Sequence, residues 1–353
     1  MTPPEHRTEP HPRTRPRVVV YGAGSIGCHL GGSLAATADV TLVGREDAMR
    51  VIDTEGVTLT GGGRPARHTP AGALRTATGP EAVAGADYVL VTVKSADTAG
   101  VARRMAAHLD PGTVVVSFQN GLRNAAVLTT ALGGHAVLAG MVPYNVLRDG
   151  PGAFHQGSGG ALMLDDRPQA ADLVTALRAG GLPVQPRTDM REVQHAKLLM
   201  NLNNAINALS GLPLRDQLGE RSYRACLALC QGEALAAFRA AGVRPARLGT
   251  IPAAWTPAVL RLPDALFRRL AGASLRIDAQ ARSSTWEDLR RGRPTEIDDL
   301  QGAVVALAAR HGLPAPANSR LITLIRLMEA AGPEQARSWR GPDLLAEIAA
   351  PRR

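Results

Sequence analysis

Lysine is almost missing from this 353-residue chain: lysine and arginine together number 40, yet only Lys94 and Lys197 are lysines. Arginine stays protonated at any working pH, whereas a buried ammonium can lower its pKa and release a proton. Each lysine is therefore a candidate for proton chemistry or for anchoring a ligand, against the plainer alternative of a chance surface residue. Cysteine is scarce as well. Cys28, Cys226 and Cys230 are too few for a disulfide framework. Cys226 and Cys230 lie one helical turn apart without an accompanying Cys or His cluster, so they read as small buried residues and no metal is expected. Aromatic residues make up 3% of the chain, leaving few rings to stack bases, and the arginines are dispersed. The formal charge of +9 thus points less to nucleic acid than to a basic surface suited to an anionic small molecule. No apolar run is long enough for a membrane span, and no signal-peptide core is present. The expectation is a soluble cytoplasmic protein with a small-molecule substrate, and with neither nucleic acid nor membrane as partner.

What is present organises into three parts. Residues 1–16 are rich in Pro, Arg and His and carry no apolar segment; a disordered tail is expected. Residues 17–189 alternate short apolar strands with glycine turns and helical stretches, and residues 190–353 are helical nearly throughout. The fold class expected is α/β, with an N-terminal dinucleotide-binding (Rossmann) domain followed by an all-helical C-terminal domain.

The β-branched run Arg17 to Tyr21 leads directly into Gly22-Ala23-Gly24-Ser25-Ile26-Gly27. In a strand–turn–helix setting, Gly22 permits the tight turn and Gly24 lets the backbone approach a pyrophosphate. Gly27 lets helix and strand pack closely, while the helix start offers amide donors to the anion. After the second strand comes Gly44-Arg45, where an NAD-specific site carries an acidic residue for the ribose. Arg45 instead suits a 2′-phosphate and favours NADPH; alternatively it only begins the next helix, with Glu46 or Asp47 facing the ribose. Residues 61–72 read as a loop. Ala86 to Val93 is a buried strand ending in Lys94, and Thr113 to Phe118 another, ending in Gln119-Asn120-Gly121. Both place polar groups at the sheet's C-terminal edge, where open α/β sheets bind ligands. Short strands are expected over Ala136 to Val146, Gly152 to Gln156 and Gly160 to Leu164, then a helix over Gln169 to Ala179 and a strand near Pro183 to Gln185.

The second half opens on Gln194 to Ser210, QHAKLLMNLNNAINALS. Leu198, Leu199, Leu202, Ala205, Ile206 and Leu209 share one broad side, and Lys197, Asn201 and Asn204 follow at helical spacing on another. Asparagine is a poor helix former, so Asn201, Asn203, Asn204 and Asn207 in two turns suggest a polar stripe facing a ligand. A long helix over Arg221 to Ala241, one or two more over Trp255 to Ala271, and a last helix over about Asn318 to Ala331 complete the pattern, with a loose tail. Before that last helix, Pro294-Thr295-Glu296-Ile297-Asp298 reads as a helix start in which Thr295 caps and Glu296 favours the first turn. Ser283 and Ser284 fit as ordinary helix residues.

Taken together, GAGSIG at Gly22 to Gly27, Arg45, Lys94, QNG at Gln119 to Gly121, KLLMN at Lys197 to Asn201, Ser283-Ser284 and PTEID at Pro294 to Asp298 resemble the ketopantoate reductase (2-dehydropantoate 2-reductase) family, from about Arg17 to about Ala331. The resemblance implies NADPH and a 2-oxo acid held between the two domains, with reduction to a 2-hydroxy acid, 2-dehydropantoate to pantoate being the leading case. It implies Lys197 as the general acid and Glu296 as the carboxylate that binds the substrate hydroxyl and orients the lysine. Asn201, Asn204 and Ser284 would touch substrate. Gly22, Gly24, Ser25, Ile26, Gly27, Arg45, Lys94 and Asn120 would serve the cofactor.

The chain departs from the family pattern on the substrate side. Ala205 stands where a second asparagine is common, with Asn204 beside it; Ala281 stands for Asn, Gln301 for the Asn before Gly302, and Pro143-Tyr144-Asn145 is distinctive. A sibling reductase acting on another ketone is therefore the alternative, with a non-catalytic NADP-binding regulatory protein further behind. A homodimer through the helical half is a candidate assembly.

Overall fold

The computed structural model describes residues 15–271, 281–335 and 337–349. Twelve strands lie in its first half: β1 (Arg17–Tyr21), β2 (Asp39–Val43), β3 (Val57–Gly61), β4 (Arg67–Thr69), β5 (Arg75–Ala77), β6 (Tyr88–Val91), β7 (Val114–Ser117), β8 (Ala136–Met141), β9 (Val146–Arg148), β10 (Ala153–Gln156), β11 (Leu162–Asp165) and β12 (Val184–Arg187). Helices α1 (Ser25–Leu34), α2 (Glu46–Glu55), α3 (Thr98–Met105), α4 (Asn124–Ala131) and α5 (Ala171–Ala179) connect them. Eight strands form one sheet in the order β12-β11-β8-β7-β6-β1-β2-β5, parallel throughout except where β8 meets β11.

Strand β1 shows why a parallel sheet forms here. Val18 and Val20 pack into the core on one face, Val19 and Tyr21 into the core on the other. A strand apolar on both faces is stable only with layers above and below it. The chain crosses over between β1 and β2, β6 and β7, and β7 and β8, so the glycine turn, Lys94 and Asn120 all emerge at the same C-terminal edge. Residues 61–72, expected as a loop, contain β4, which pairs antiparallel with β3. The turn uses Gly61, Gly62 and Gly63, all at positive φ, a conformation that glycine adopts without steric cost. The stretch Ala136 to Val146 likewise divides into β8 and β9, and β3, β4, β9 and β10 make a second, four-stranded sheet.

The second half contains α6 (Met190–Asn201), α7 (Asn203–Ser210), α8 (Leu214–Gly219), α9 (Arg221–Ala240), α10 (Thr256–Leu260), α11 (Asp264–Ala271), α12 (Ser284–Arg290), α13 (Ile297–Arg310), α14 (Pro316–Ala331) and α15 (Gly341–Ala349). Its apolar core gathers Leu199, Ile206, Cys226, Cys230, Phe238, Val304 and Leu321. Both cysteines are free and buried, and burial pushes the Cys226 thiol up to about 12. Met141 packs with Met190, Val193 and Ala196, joining sheet to helices. Two expectations are corrected. The stretch Gln194 to Ser210 is two helices that break at Leu202, and the expected loose tail folds as α15. Leu344 and Ile348, one turn apart, are buried there, and Pro342 fits the first turn, where no amide is needed. Of the expected disordered tail, residues 1–14 lie outside the described residues. Arg15 is placed and donates to the carbonyls of Ala35 and Ala38.

Among the described residues no helix is long and apolar enough to cross a membrane. The largest fully buried side chain is Arg224. Its guanidinium donates to the carbonyls of Leu218, Gly219, Leu260 and Leu262, pairs with Asp264 at 2.8 Å, and lies 4.1 Å from the Phe267 ring centroid. Planar, multidirectional donation of this kind is specific to arginine. It ties α8, α9, α10 and α11 together. Arg224→Met is expected to lower the free energy of unfolding by about 2–4 kcal/mol, because several buried acceptors lose their donor at once. Urea denaturation checks this, and a loss under about 1 kcal/mol would show that those carbonyls are readily rehydrated.

Candidate active site

A cleft of about 660 Å³ opens between the C-terminal edge of the large sheet and the helices. On the sheet side it is lined by Gly22, Gly24, Ser25, Ile26, Arg45, Lys94 and Asn120; on the helical side by Lys197, Asn201, Asn204, Ser284 and Glu296. Gly27 is set back from it. A Cβ there would lie 2.1 Å from the Gly22 carbonyl oxygen, and one on Gly22 would lie 2.6 Å from the Val93 amide. Those two glycines press α1 and the turn onto β6. A Cβ on Gly24 would meet nothing within 4 Å, so the open side of the turn faces the cleft.

This edge fits a dinucleotide. The amides at the start of α1 carry no side-chain cap, which leaves donors for a pyrophosphate. Arg45 is exposed at the N-cap of α2 with no side-chain partner among the described residues. Glu46 also lines the cleft but receives Arg50 at 3.1 Å. Asp47 lines the cleft too and, like Arg45, has no side-chain partner among the described residues.

The helices bring the catalytic candidates to the same edge. Lys197 points from α6 to the cleft, where its ammonium donates to the Pro143 carbonyl at 3.4 Å, and no carboxylate among the described residues is paired with it. Burial lowers its pKa from 10.5 to about 8. A lysine so shifted weakens the fold while it is charged. That cost is fully present below about pH 8 and is relieved as pH rises toward 10.5. One turn on, buried Asn201 donates to Asn120 Oδ1 at 3.1 Å, and Asn120 Nδ2 donates to Glu296 Oε2 at 3.3 Å. Glu296 also accepts from the Ser95 amide at 3.3 Å and lies 3.6 Å from Lys94 Nζ. Lys94 completes the line with Asp288 at 2.7 Å. Burial acts to lower the Lys94 pKa, but Glu296 and Asp288 outweigh it and hold the pKa above its usual value.

Several expectations change on this geometry. The lysine that Glu296 meets is Lys94, at 3.6 Å. Glu296 is the N-cap residue of α13 yet makes no side-chain cap; Thr295 Oγ1 accepts from the Ile297 amide at 3.3 Å instead. The four asparagines do not form one stripe facing a ligand. Asn201 and Asn204 line the cleft, but Asn203 pairs reciprocally with Gln217. Asn207 donates to the Leu212 carbonyl and accepts from the Ser283 amide. Ser283 caps α12, whereas Ser284 faces the cleft and accepts from Asn204 at 3.5 Å. Ala205 is buried in the helical core, and the polar position in the cleft belongs to Asn204.

Sequence reasoning missed Ser95 and Asp288, although Ser95 follows Lys94 and Asp288 lies one turn beyond Ser284. It also missed Arg104, Arg148, Arg282, Arg291 and Arg293 on the cleft wall, which no spacing distinguishes from the other arginines. No cluster able to hold a metal is found among the described residues.

Because the chain has two lysines, carbon-13 reductive methylation labels two side chains, each in the cleft, besides the α-amino group; the Lys197 signal is the one that Lys197→Arg removes. One signal is expected to titrate near pH 8 (Lys197) and the other above 10.5 (Lys94). Two signals both titrating near 10.5 would refute the assigned environments.

Comparison with known proteins follows the same division. Residues 18–169 match the family model "Ketopantoate reductase PanE/ApbA", and residues 189–329 match its C-terminal counterpart. The 2-dehydropantoate 2-reductase of Halobacterium salinarum is 32% identical over 336 residues, spanning 90% of this chain and 100% of that protein. The crystal structure of a PanE/ApbA family ketopantoate reductase from Ralstonia eutropha JMP134 superposes with a TM-score of 0.76 at 32% identity, covering 89% of this chain and 99% of that one. A D-mandelate dehydrogenase bound to NADH and anilino(oxo)acetate shares the fold, with a TM-score of 0.75 at 17% identity over 89% of this chain and 99% of that one.

Proposed function

The chain belongs to the ketopantoate reductase family, nicotinamide-dependent oxidoreductases acting on CH–OH groups, and from that premise we propose that it reduces a 2-oxo acid with NADPH, 2-dehydropantoate to pantoate in pantothenate biosynthesis being the leading case. Residues 17–189 would serve as the cofactor-binding domain and the helices from residue 190 as the substrate domain. The observation that carries this reading is Lys197, a cleft-facing ammonium with no carboxylate partner among the described residues and a pKa lowered to about 8. NADPH rather than NADH is supported by Arg45 at the end of β2, a cation with no side-chain partner among the described residues.

Gly22, Gly24 and the amides at the start of α1 would hold the reduced dinucleotide, which when bound would supply hydride for the carbonyl carbon of the substrate. Lys197 donates a proton to the carbonyl oxygen, so that the oxo acid gains one hydride and one proton and leaves as the hydroxy acid. Before transfer, the ammonium stabilises the charge that develops on that oxygen. A pKa near neutrality suits a group that must hold a proton and still release it. Asn201, Asn204 and Ser284 present amide and hydroxyl groups to substrate, and Glu296 accepts its hydroxyl. Arginine at position 197 would keep the charge but not readily the transferable proton.

With NADPH and 2-dehydropantoate, Lys197→Arg is expected to lose about 10²–10⁴-fold in kcat. An unchanged kcat would remove the proton-donor role, and a wild-type protein that oxidises NADPH with no 2-oxo acid would remove the reading itself. For the wild type, kcat/KM is expected to be flat at neutral pH and to fall tenfold per unit above about pH 8, as Lys197 loses its proton. A profile flat to pH 10 would contradict that assignment.

A second substrate is favoured by one observation: Tyr144 and Asn145, within the distinctive Pro143-Tyr144-Asn145 stretch, line the cleft. A panel of smaller and bulkier 2-oxo acids, aromatic ones included, separates 2-dehydropantoate from a sibling substrate.

A further inference from the structure

The break between α6 and α7 is gripped from behind by two buried glutamines, neither of which lines the cleft. Gln231 on α9 donates Nε2 to the Leu199 carbonyl at 3.0 Å, and Gln301 on α13 donates Nε2 to the Leu202 carbonyl at 2.9 Å. Leu199 lies in the last turn of α6, where helix carbonyls run out of intrahelical donors. Leu202 is the break itself. In both glutamines Oε1 is buried without a partner among the described residues. Leaving an acceptor buried and unpaired is unfavourable. Packing alone would be better served by an apolar side chain of the same size, so the donated N–H is what each glutamine contributes. A side chain inserted at helix carbonyls is also one of the known causes of a helix break.

The break separates the groups that face the cleft. Lys197 and Asn201 belong to α6; Asn204 belongs to α7 and touches Ser284. The angle between the two helices therefore sets where the ammonium stands relative to the polar groups that would hold a substrate. Gln301 has a second connection. It lies on α13, whose N-cap residue Glu296 reaches the sheet-side loops through Ser95 and Asn120. One helix thus fixes the carboxylate at its start and the backbone of the lysine helix just over one turn later.

We propose that Gln231 and Gln301 are positioning residues that hold the α6–α7 break, and with it Lys197 and Asn201, in register with Asn204, Ser284 and Glu296. The proposal rests on the reductase reading, since the register matters only for a substrate held between those groups.

The test is Gln231→Met and Gln301→Met, each close in size and unable to donate. For both, the dissociation constant for NADPH is expected to stay within about twofold of wild type, since the glycine turn and Arg45 are untouched. KM for the 2-oxo acid rises and kcat falls, together a loss in kcat/KM on the order of tenfold to a hundredfold, as a small misplacement of a reacting group produces. A purely structural role would lower Tm while leaving kcat and KM of the folded enzyme unchanged, and that result overturns the proposal. So does loss of the fold in both variants. If only Gln301→Met fails to fold, Gln231→Met decides from the other side of the break. An active wild type with unaffected variants removes the positioning role alone; a wild type inactive on every 2-oxo acid removes the reductase reading and the positioning role with it.

Discussion

The arrangement of this molecule turns on a buried carboxylate. Glu296 stands at the N-terminus of α13, where the helix dipole favours negative charge, and its partners lie across the cleft in the other half of the chain: Ser95, Asn120 and Lys94. A carboxylate 8% exposed is tolerated only when its oxygens are supplied with donors. Because the donors come from the loops after β6 and β7, burial of this one group holds the sheet edge against the helices. The line extends through Asn120 to Asn201 on one side and through Lys94 to Asp288 on the other.

The two lysines are given opposite environments by this arrangement. Lys94 has two carboxylates within 4 Å, and its proton is held. Lys197 has a single carbonyl, and burial makes its proton easier to lose. One cation is fixed in charge and positions its neighbours; the other is ready to exchange a proton. In the proposed carbonyl reduction, the second of these environments suits the group that delivers the proton.

Much of the fold was legible in the residue pattern. Val18 to Tyr21 is apolar without alternation and stops at Gly22, so strand, turn and helix follow from local sterics and hydrophobicity. The placement of Lys94 and Asn120 at strand ends announced the ligand edge in the same way. The site was legible in part. Asparagine within a helix signals that polar partners exist, but not which ones: Asn203 and Asn207 stand at helical spacing just as Asn201 and Asn204 do, yet they face Gln217, Leu212 and Ser283 inside the protein. The break at Leu202 left no local mark either. The residues around it have no proline or glycine, and its supports, Gln231 and Gln301, come from distant helices.

The sequence by itself determined the parallel sheet, the glycine turn that can receive a pyrophosphate, the rarity of lysine and the helical character of the second half. These depend on backbone freedom and on periodic burial, both properties of short segments. Only the tertiary structure decided that Glu296 answers to Lys94, that Asp288 and Ser95 join them, that Lys197 stands without a counter-charge among the described residues, and that two of four asparagines face the cleft. Charge pairing and desolvation depend on what is within a few ångströms in space, and residues 201 positions apart, such as Ser95 and Glu296, become neighbours only once both cores have formed.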